Sequence, residues 1–119
     1  MSAPDLLEIT IPFHIADVST AGQVYIPITQ GNGGTVVEII TVLNGTITGA
    51  DVDLTAKIDG VALTNGLITI AEDSSAAGDT NSVNPTGANA VAEGGSVEIE
   101  TDGASTGTIE VFGAIRIRR

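Results

Sequence analysis

Residues 7–15 read LEITIPFHI, and every second side chain in this stretch is large and apolar. Side chains of a β-strand point alternately to opposite faces, so a period of two predicts a strand with one buried face. The same alternation recurs in residues 24–29, 52–58, 97–100 and 109–117. Residues 35–43 (TVVEIITVL) are more continuously apolar, which is expected when both faces of a strand are at least partly covered.

Turn-forming dipeptides such as Asp59-Gly60 and Asn65-Gly66 separate these stretches, because their residues tolerate positive φ. No stretch of ten or more residues shows a helical period with caps. We therefore predict an all-β fold, an antiparallel two-sheet β-sandwich with jelly-roll topology. An immunoglobulin-like sandwich is the alternative, and the absence of its Trp and Cys landmarks disfavours it.

The 119 residues are enough for one domain, so we predict a single β-sandwich over residues 1–119. We expect residues 1–5 to form a short N-terminal arm ahead of the first strand. Residues 71–95 are rich in Gly, Ala, Ser and Asn and are predicted to be a long loop excursion that packs on the domain or on neighbouring chains. Because proline cannot donate to a β-ladder, we expect the strands of Pro12 and Pro27 at sheet edges or bulges.

The composition disfavours several classes of function. Fifteen acidic residues against four basic ones give a net charge of −11, which argues against binding nucleic acid or an anionic membrane. There is no cysteine, and aromatic residues make up 3% of the chain. We therefore expect no thiolate metal site and few rings for stacking on sugars or bases. The first residues lack the pattern of a secretory signal.

The candidate catalytic and metal-binding residues are few. His14 is the only histidine, and no serine lies in a G-x-S-x-G setting, so we interpret His14 as a surface or interface residue. Asp51 and Asp53, with Asp59 or with residues 72–73, have the oxygen ligands that Ca²⁺ prefers, but a solvated polar face explains them better. We predict no catalytic, cofactor-binding or metal-binding residue and therefore no enzyme.

The basic residues are concentrated at one end of the chain. Arg116, Arg118 and Arg119 are three of the four, so the last four residues carry +3 while residues 1–115 carry −14. A terminal solubilising cluster is one interpretation. The other is that these arginines bind an acidic patch on another subunit or on a larger partner, since the arginine fork pairs well with carboxylates.

The apolar residues of 35–43 give a second indication of a partner. Val36-Val37, Ile39-Ile40 and Leu43 provide more apolar surface than one face of a sandwich needs. Surplus apolar faces usually contact another molecule, so we expect the chain to form oligomers.

Residues 43–103 include a strand, GTITGAD (45–51), a DG or NG hairpin, the Gly/Ala/Ser/Asn-rich excursion and VAEGGSVEI (91–99). In this pattern the chain resembles small head decoration, or capsid cement, proteins of tailed bacteriophages and related capsid fibres. The resemblance implies a β-sandwich that forms homotrimers on the capsid exterior and holds neighbouring major capsid proteins together. It implies synthesis in the host cytoplasm and brings no cofactor and no catalytic motif.

In such a protein, an extended terminus can add a strand to the edge of a partner's sheet. Pro4 favours an extended backbone in the arm, so Pro4 and Asp5 join the three arginines as predicted partner-binding residues. A receptor- or glycan-binding head spike or fibre module is the alternative function. A small β-sandwich hydrolase or metal enzyme is a third, which depends on His14 and the acidic pairs alone.

Overall fold

A computed structural model of the chain describes residues 8–119, which form nine β-strands and no helix. The strands are β1 Glu8–Ile15, β2 Gly22–Pro27, β3 Gly34–Leu43, β4 Val52–Ile58, β5 Val61–Ile70, β6 Thr80–Val83, β7 Ala90–Val91, β8 Ser96–Thr101 and β9 Val111–Arg118. The predicted arm, with Pro4 and Asp5, lies outside the described residues.

The strands form two antiparallel sheets. Sheet A has five strands in the order β1-β9-β3-β6, with β7 also paired to β3, and sheet B has the order β2-β8-β4-β5. The prediction of an all-β, two-sheet antiparallel sandwich is confirmed. The first four strands alternate between the sheets, which favours the jelly roll over the immunoglobulin-like order, and the jelly-roll topology stays a prediction.

The core lies between the two sheets and is built almost entirely from aliphatic side chains. Alternate residues of β4 are buried, as are those of β8, because each strand turns one face inward. Val18 and Ile47 add fully buried side chains from the connecting segments. The largest fully buried side chains are Ile28, Ile39, Ile47, Leu54, Ile70, Ile99, Ile115, Ile117, Val18, Val36, Val52 and Val97.

Both proline-containing strands lie where the sequence predicts. β1, with Pro12, is an edge strand of sheet A, and β2, with Pro27, is an edge strand of sheet B. Proline at an edge removes no ladder hydrogen bond, since its nitrogen can face away from the neighbouring strand. This expectation is confirmed.

Two turn predictions have opposite outcomes. Asp59 and Gly60 have φ of 53° and 80° and join Ile58 to Val61 in a two-residue hairpin, as predicted. The break expected at Asn65-Gly66 is wrong, because β5 continues through it to Ile70. The pairing of β4 with β5 shifts in register between Thr55 and Lys57, and this shift accommodates the extra residues of β5. Asn65, which is one of those extra residues, has a φ of 59°.

The predicted excursion at residues 71–95 contains β6 and β7, both paired with β3, so it is not one continuous loop. Between these strands, Thr64 of β5 forms an isolated bridge with Gly87. The segment thus contacts sheet A and sheet B and packs on the domain itself. Both strands pair with β3 through backbone hydrogen bonds, and each adds one valine, Val83 or Val91, to the apolar contacts of the core.

Candidate partner-binding surface

The outer face of sheet A carries two rows of side chains that cross β1, β9 and β3. One row is His14, Phe112 and Val42, and the next is Pro12, Ala114 and Ile40, as the strand register shows. Phe112 is 45% exposed, and Ile40 and Val42 are each 38% exposed. These five apolar residues, Pro12, Ile40, Val42, Phe112 and Ala114, are referred to below as the apolar patch.

The strand register explains why the patch lies outside. In β3 the register shifts between Val36 and Glu38, so that Val36 and Ile39 both point into the core. From Ile39 onward the regular alternation turns Ile40 and Val42 to the outer face. Four residues of the patch, all except Pro12, line a shallow depression in that face together with Thr80 of β6.

His14 lies at the border of the apolar patch. Its ring stacks on Phe112 with centroids 4.5 Å apart and an interplanar angle of 18°. Its Nε2 hydrogen-bonds with Oε2 of Glu110 at 2.9 Å, and Asn44 Nδ2 donates to the other carboxylate oxygen at 3.3 Å. The ring therefore extends the flat apolar surface, which agrees with its interpretation as a surface or interface residue.

A row of alternating charges borders the apolar patch on the same face. Arg116 Nη1 lies 2.8 Å from Glu8 Oε1, and Arg116 Nε lies 3.1 Å from Glu38 Oε1. Arg118 Nη2 lies 2.8 Å from Glu8 Oε2. These four residues, Glu8, Glu38, Arg116 and Arg118, form the charged row, whose formal charges cancel.

The ion pairs shift the pKa values of two residues of the charged row, Glu8 and Arg116. Hydrogen bonds from Arg116, then from Arg118, lower the pKa of Glu8 below its ordinary value of 4.5. Hydrogen bonds to Glu8, then to Glu38, raise the pKa of Arg116. Both shifts favour the charged forms of Glu8 and Arg116.

Two of the three predicted partner-binding arginines therefore already have acidic neighbours within the chain. Arg116 and Arg118 belong to the charged row, and Arg119 follows β9 in an exposed position. Binding of Arg116 or Arg118 to a carboxylate of another molecule would compete with these intrachain ion pairs. The intermolecular contact of these arginines stays a prediction.

The outer face of sheet B is polar. Lys57 Nζ lies 2.8 Å from Glu100 Oε1, and this hydrogen bond raises the pKa of Lys57. Asp53 Oδ1 accepts a hydrogen bond from Thr69 Oγ1 at 2.8 Å. Tyr25 and Leu67 are exposed apolar side chains on β2 and β5, the two opposite edge strands of that sheet. Sheet B therefore has no continuous apolar area like that of sheet A in the part of the chain that is described.

The acidic residues considered as calcium ligands make other contacts. Asp51 Oδ1 accepts a hydrogen bond from the backbone amide of Glu72 at 2.9 Å, which ties the start of β4 to the segment after β5. Within residues 8–119, no group of three or more His, Asp or Glu side chains is arranged to hold a metal ion. In the same range, no helix could cross a membrane.

The apolar patch could be predicted only in part. The surplus of apolar residues in 35–43 signalled that one strand had two apolar faces. Phe112 was not predicted to belong to an apolar surface. It occupies one of the alternate positions of its strand that point away from the core, and Arg116 and Arg118 occupy other positions of that set.

Comparison with known proteins gives structural similarity at low sequence identity. A chain of the acid-stable capsid structure of Helicobacter pylori bacteriophage KHP30 is 14% identical, with a TM-score of 0.48 over 95% of this chain and 88% of that chain. A chain of the cyanophage Pam1 capsid asymmetric unit is 11% identical, with a TM-score of 0.45 over 93% of this chain and 81% of that chain. Both structures are of bacteriophage capsids. No protein-family model and no curated protein sequence matches the chain.

Proposed function

We propose that this chain is a structural, non-enzymatic virion protein. In this proposal it forms homotrimers, binds the exterior of a bacteriophage capsid and stabilises the contacts between major capsid proteins. It is made in the host cytoplasm and needs no cofactor. The observation that supports the proposal best is the exposed apolar patch, bordered by the charged row, on a chain that otherwise carries a large excess of acidic residues.

The physical requirement on such a protein is adhesion to several rigid neighbours at once. A trimer presents three copies of each contact, so weak single contacts combine into strong attachment when the geometry allows simultaneous binding. The acidic body keeps free copies apart in solution through charge repulsion. The turns have no large side chains and the core is aliphatic, so the chain is a compact unit. The outer surfaces of this unit are available for contact with neighbouring proteins.

The decisive experiment mixes the purified protein with capsids that lack decoration. We expect saturable binding, measured by sedimentation, and a higher temperature of capsid disruption, measured by scanning fluorimetry of the particles. A small acidic β-protein of unrelated sequence serves as the control for nonspecific adhesion. Absence of binding and of any gain in heat resistance would remove the proposal.

One observation favours the alternative of a receptor- or glycan-binding module. Tyr25 is 59% exposed, and Gln23 Nε2 donates a hydrogen bond to its hydroxyl at 3.4 Å. An exposed ring beside an amide can stack on a sugar and hydrogen-bond its hydroxyl groups. A glycan array separates the two functions: selective glycan binding that is lost in Tyr25→Ala would favour the alternative.

A further inference from the structure

The apolar patch borders the charged row, in which opposite charges are balanced, and the carboxylate of Glu110 lies at its His14 border. The charged row holds two of the 15 acidic residues and two of the four basic residues. The rest of the chain carries the other 13 acidic residues against two basic ones. The charged row therefore holds half of the basic residues and a small share of the acidic ones.

Charge repulsion limits how two copies of an acidic protein can approach. At physiological salt the screening length is about 8 Å, so repulsion acts mainly between charges at or near a contact. On the outer face of sheet A, the two carboxylates of the charged row are neutralised by arginines within hydrogen-bonding distance. A second copy can therefore approach this face without meeting uncompensated carboxylates of that row.

The layout of the face also matches that of a protein interface. Interface cores are apolar and rich in aromatic residues, and their rims are polar with arginine enriched. Here Phe112, with the stacked His14 ring, lies among aliphatic side chains, and the charged row lies to one side of them. Removal of these apolar side chains from water is the driving force that such a contact needs.

We propose that the apolar patch is the surface through which copies of this chain contact one another, with the charged row as its polar rim. The inference rests on the homotrimer of the proposed function and assigns its contact surface. The polar outer face of sheet B then points away from the contact between copies and is available to solvent or to a capsid.

The test compares two substitutions that make the same change on opposite faces. Ile40→Glu adds a carboxylate to the apolar patch, and Leu67→Glu adds one to the outer face of sheet B, where Leu67 is 49% exposed. The mass in solution is measured by light scattering over a range of concentrations. We expect the wild-type chain and Leu67→Glu to have three times the 11.9 kDa chain mass. For Ile40→Glu, burial of an unpaired charge should raise the concentration of half-assembly by at least about a hundredfold.

A second measurement covers the case that Ile40→Glu fails to fold. The chain has no cysteine, so a single introduced thiol is the only one that reacts. In Val42→Cys we expect the rate of thiol labelling to fall as protein concentration rises, because association covers the patch. In Leu67→Cys the rate should stay constant.

The outcomes separate this inference from the proposed function. Two results would overturn the assignment of the contact surface. One is equal masses for both glutamate variants, and the other is a thiol-labelling rate of Val42→Cys that does not change with protein concentration. A wild-type chain that is monomeric throughout would overturn it together with the homotrimer. If Ile40→Glu keeps its mass and loses only capsid binding, the patch contacts the capsid, so the inference fails and the virion role stands. Failure of the wild-type chain to bind capsids bears on the proposed function alone.

Discussion

Phe13 and Gly113 lie directly opposite each other on β1 and β9, and the ring of Phe13 occupies the space where a β-carbon of residue 113 would lie. The carbonyl oxygen of Ile40 is 2.9 Å from the same position. A side chain at residue 113 is therefore blocked by a core ring and by the backbone of the neighbouring strand.

We predict that Gly113→Ala destabilises the fold by about 1–3 kcal/mol, because the added methyl group forces the Phe13 ring or the backbone of β3 to move. The measurement is the free energy of unfolding in urea. The matched control is Gly22→Ala at the start of β2, where the nearest atom to an added β-carbon is 3.9 Å away. That variant should change stability by less than about 1 kcal/mol, and equal losses in both variants would contradict the prediction.

The hydroxyl of Ser75 holds the segment after β5 onto the core. It accepts a hydrogen bond from the amide of Ile47 at 3.0 Å, and this contact is buried. Ser75→Ala leaves that amide without its acceptor, so we expect a loss of about 1–3 kcal/mol in the free energy of unfolding. Hydrogen exchange at the Ile47 amide should accelerate as well.

Ser74→Ala is the control for this prediction, because Ser74 is exposed and its hydroxyl contacts only the backbone oxygen of Glu72 among the described hydrogen bonds. We expect a change within about 0.5 kcal/mol. A Ser75→Ala variant as stable as Ser74→Ala would show that water or a shifted backbone replaces the lost acceptor.

The pKa of Glu8 makes the stability of the fold depend on pH in a defined direction. Its pKa in the folded chain is lower than its ordinary value of 4.5, chiefly because Arg116 hydrogen-bonds the carboxylate. The stabilisation is therefore fully present above that value and is lost as the pH falls through the lower, folded-state pKa. We predict that Glu8→Gln unfolds at lower urea concentration than wild type at pH 7 and that this difference shrinks below pH 4.5.

Removal of any carboxylate also relieves repulsion in a chain of net charge −11, so the Glu8 experiment needs a matched control. Glu72→Gln removes the same charge from an exposed residue outside the charged row. A Glu8→Gln difference that equals that of Glu72→Gln, or that grows on acidification, would contradict the role of the ion pairs.

The sequence predicted the elements whose residues carry their own pattern. The alternation in residues 7–15 corresponds to β1, and TVVEIITVL corresponds to β3 with one residue added at its start. β6 (TNSV) was missed because it has no repeated large apolar residues and is held by pairing with β3, 40 residues away at Thr41 and Asn81. Local patterns do not reveal a strand stabilised by distant backbone pairing.

The candidate surface shows the same limit. Surplus apolar residues in 35–43 indicated a partner, but the face to which each side chain points depends on the register shift between Val36 and Glu38. Arg116 was predicted from the sequence to pair with carboxylates. Its partner Glu8 lies 108 positions earlier, so only the pairing of the first and last strands brings them together.

The salt dependence of self-association separates the two contacts considered for this chain. If copies meet through the apolar patch, sodium chloride should strengthen association between about 0.02 and 0.3 M, because it screens the repulsion between acidic bodies while the apolar contact persists. If Arg116, Arg118 and Arg119 instead pair with carboxylates of another copy, the same salt should weaken association. The concentration of half-assembly, measured by light scattering at each salt concentration, shows whether salt strengthens or weakens association. Arg119 lies outside the charged row, so Arg119→Ala should leave assembly through the patch nearly unchanged. A monomeric Arg119→Ala chain, together with a wild-type chain that dissociates in salt, would establish the arginine contact and remove the apolar one.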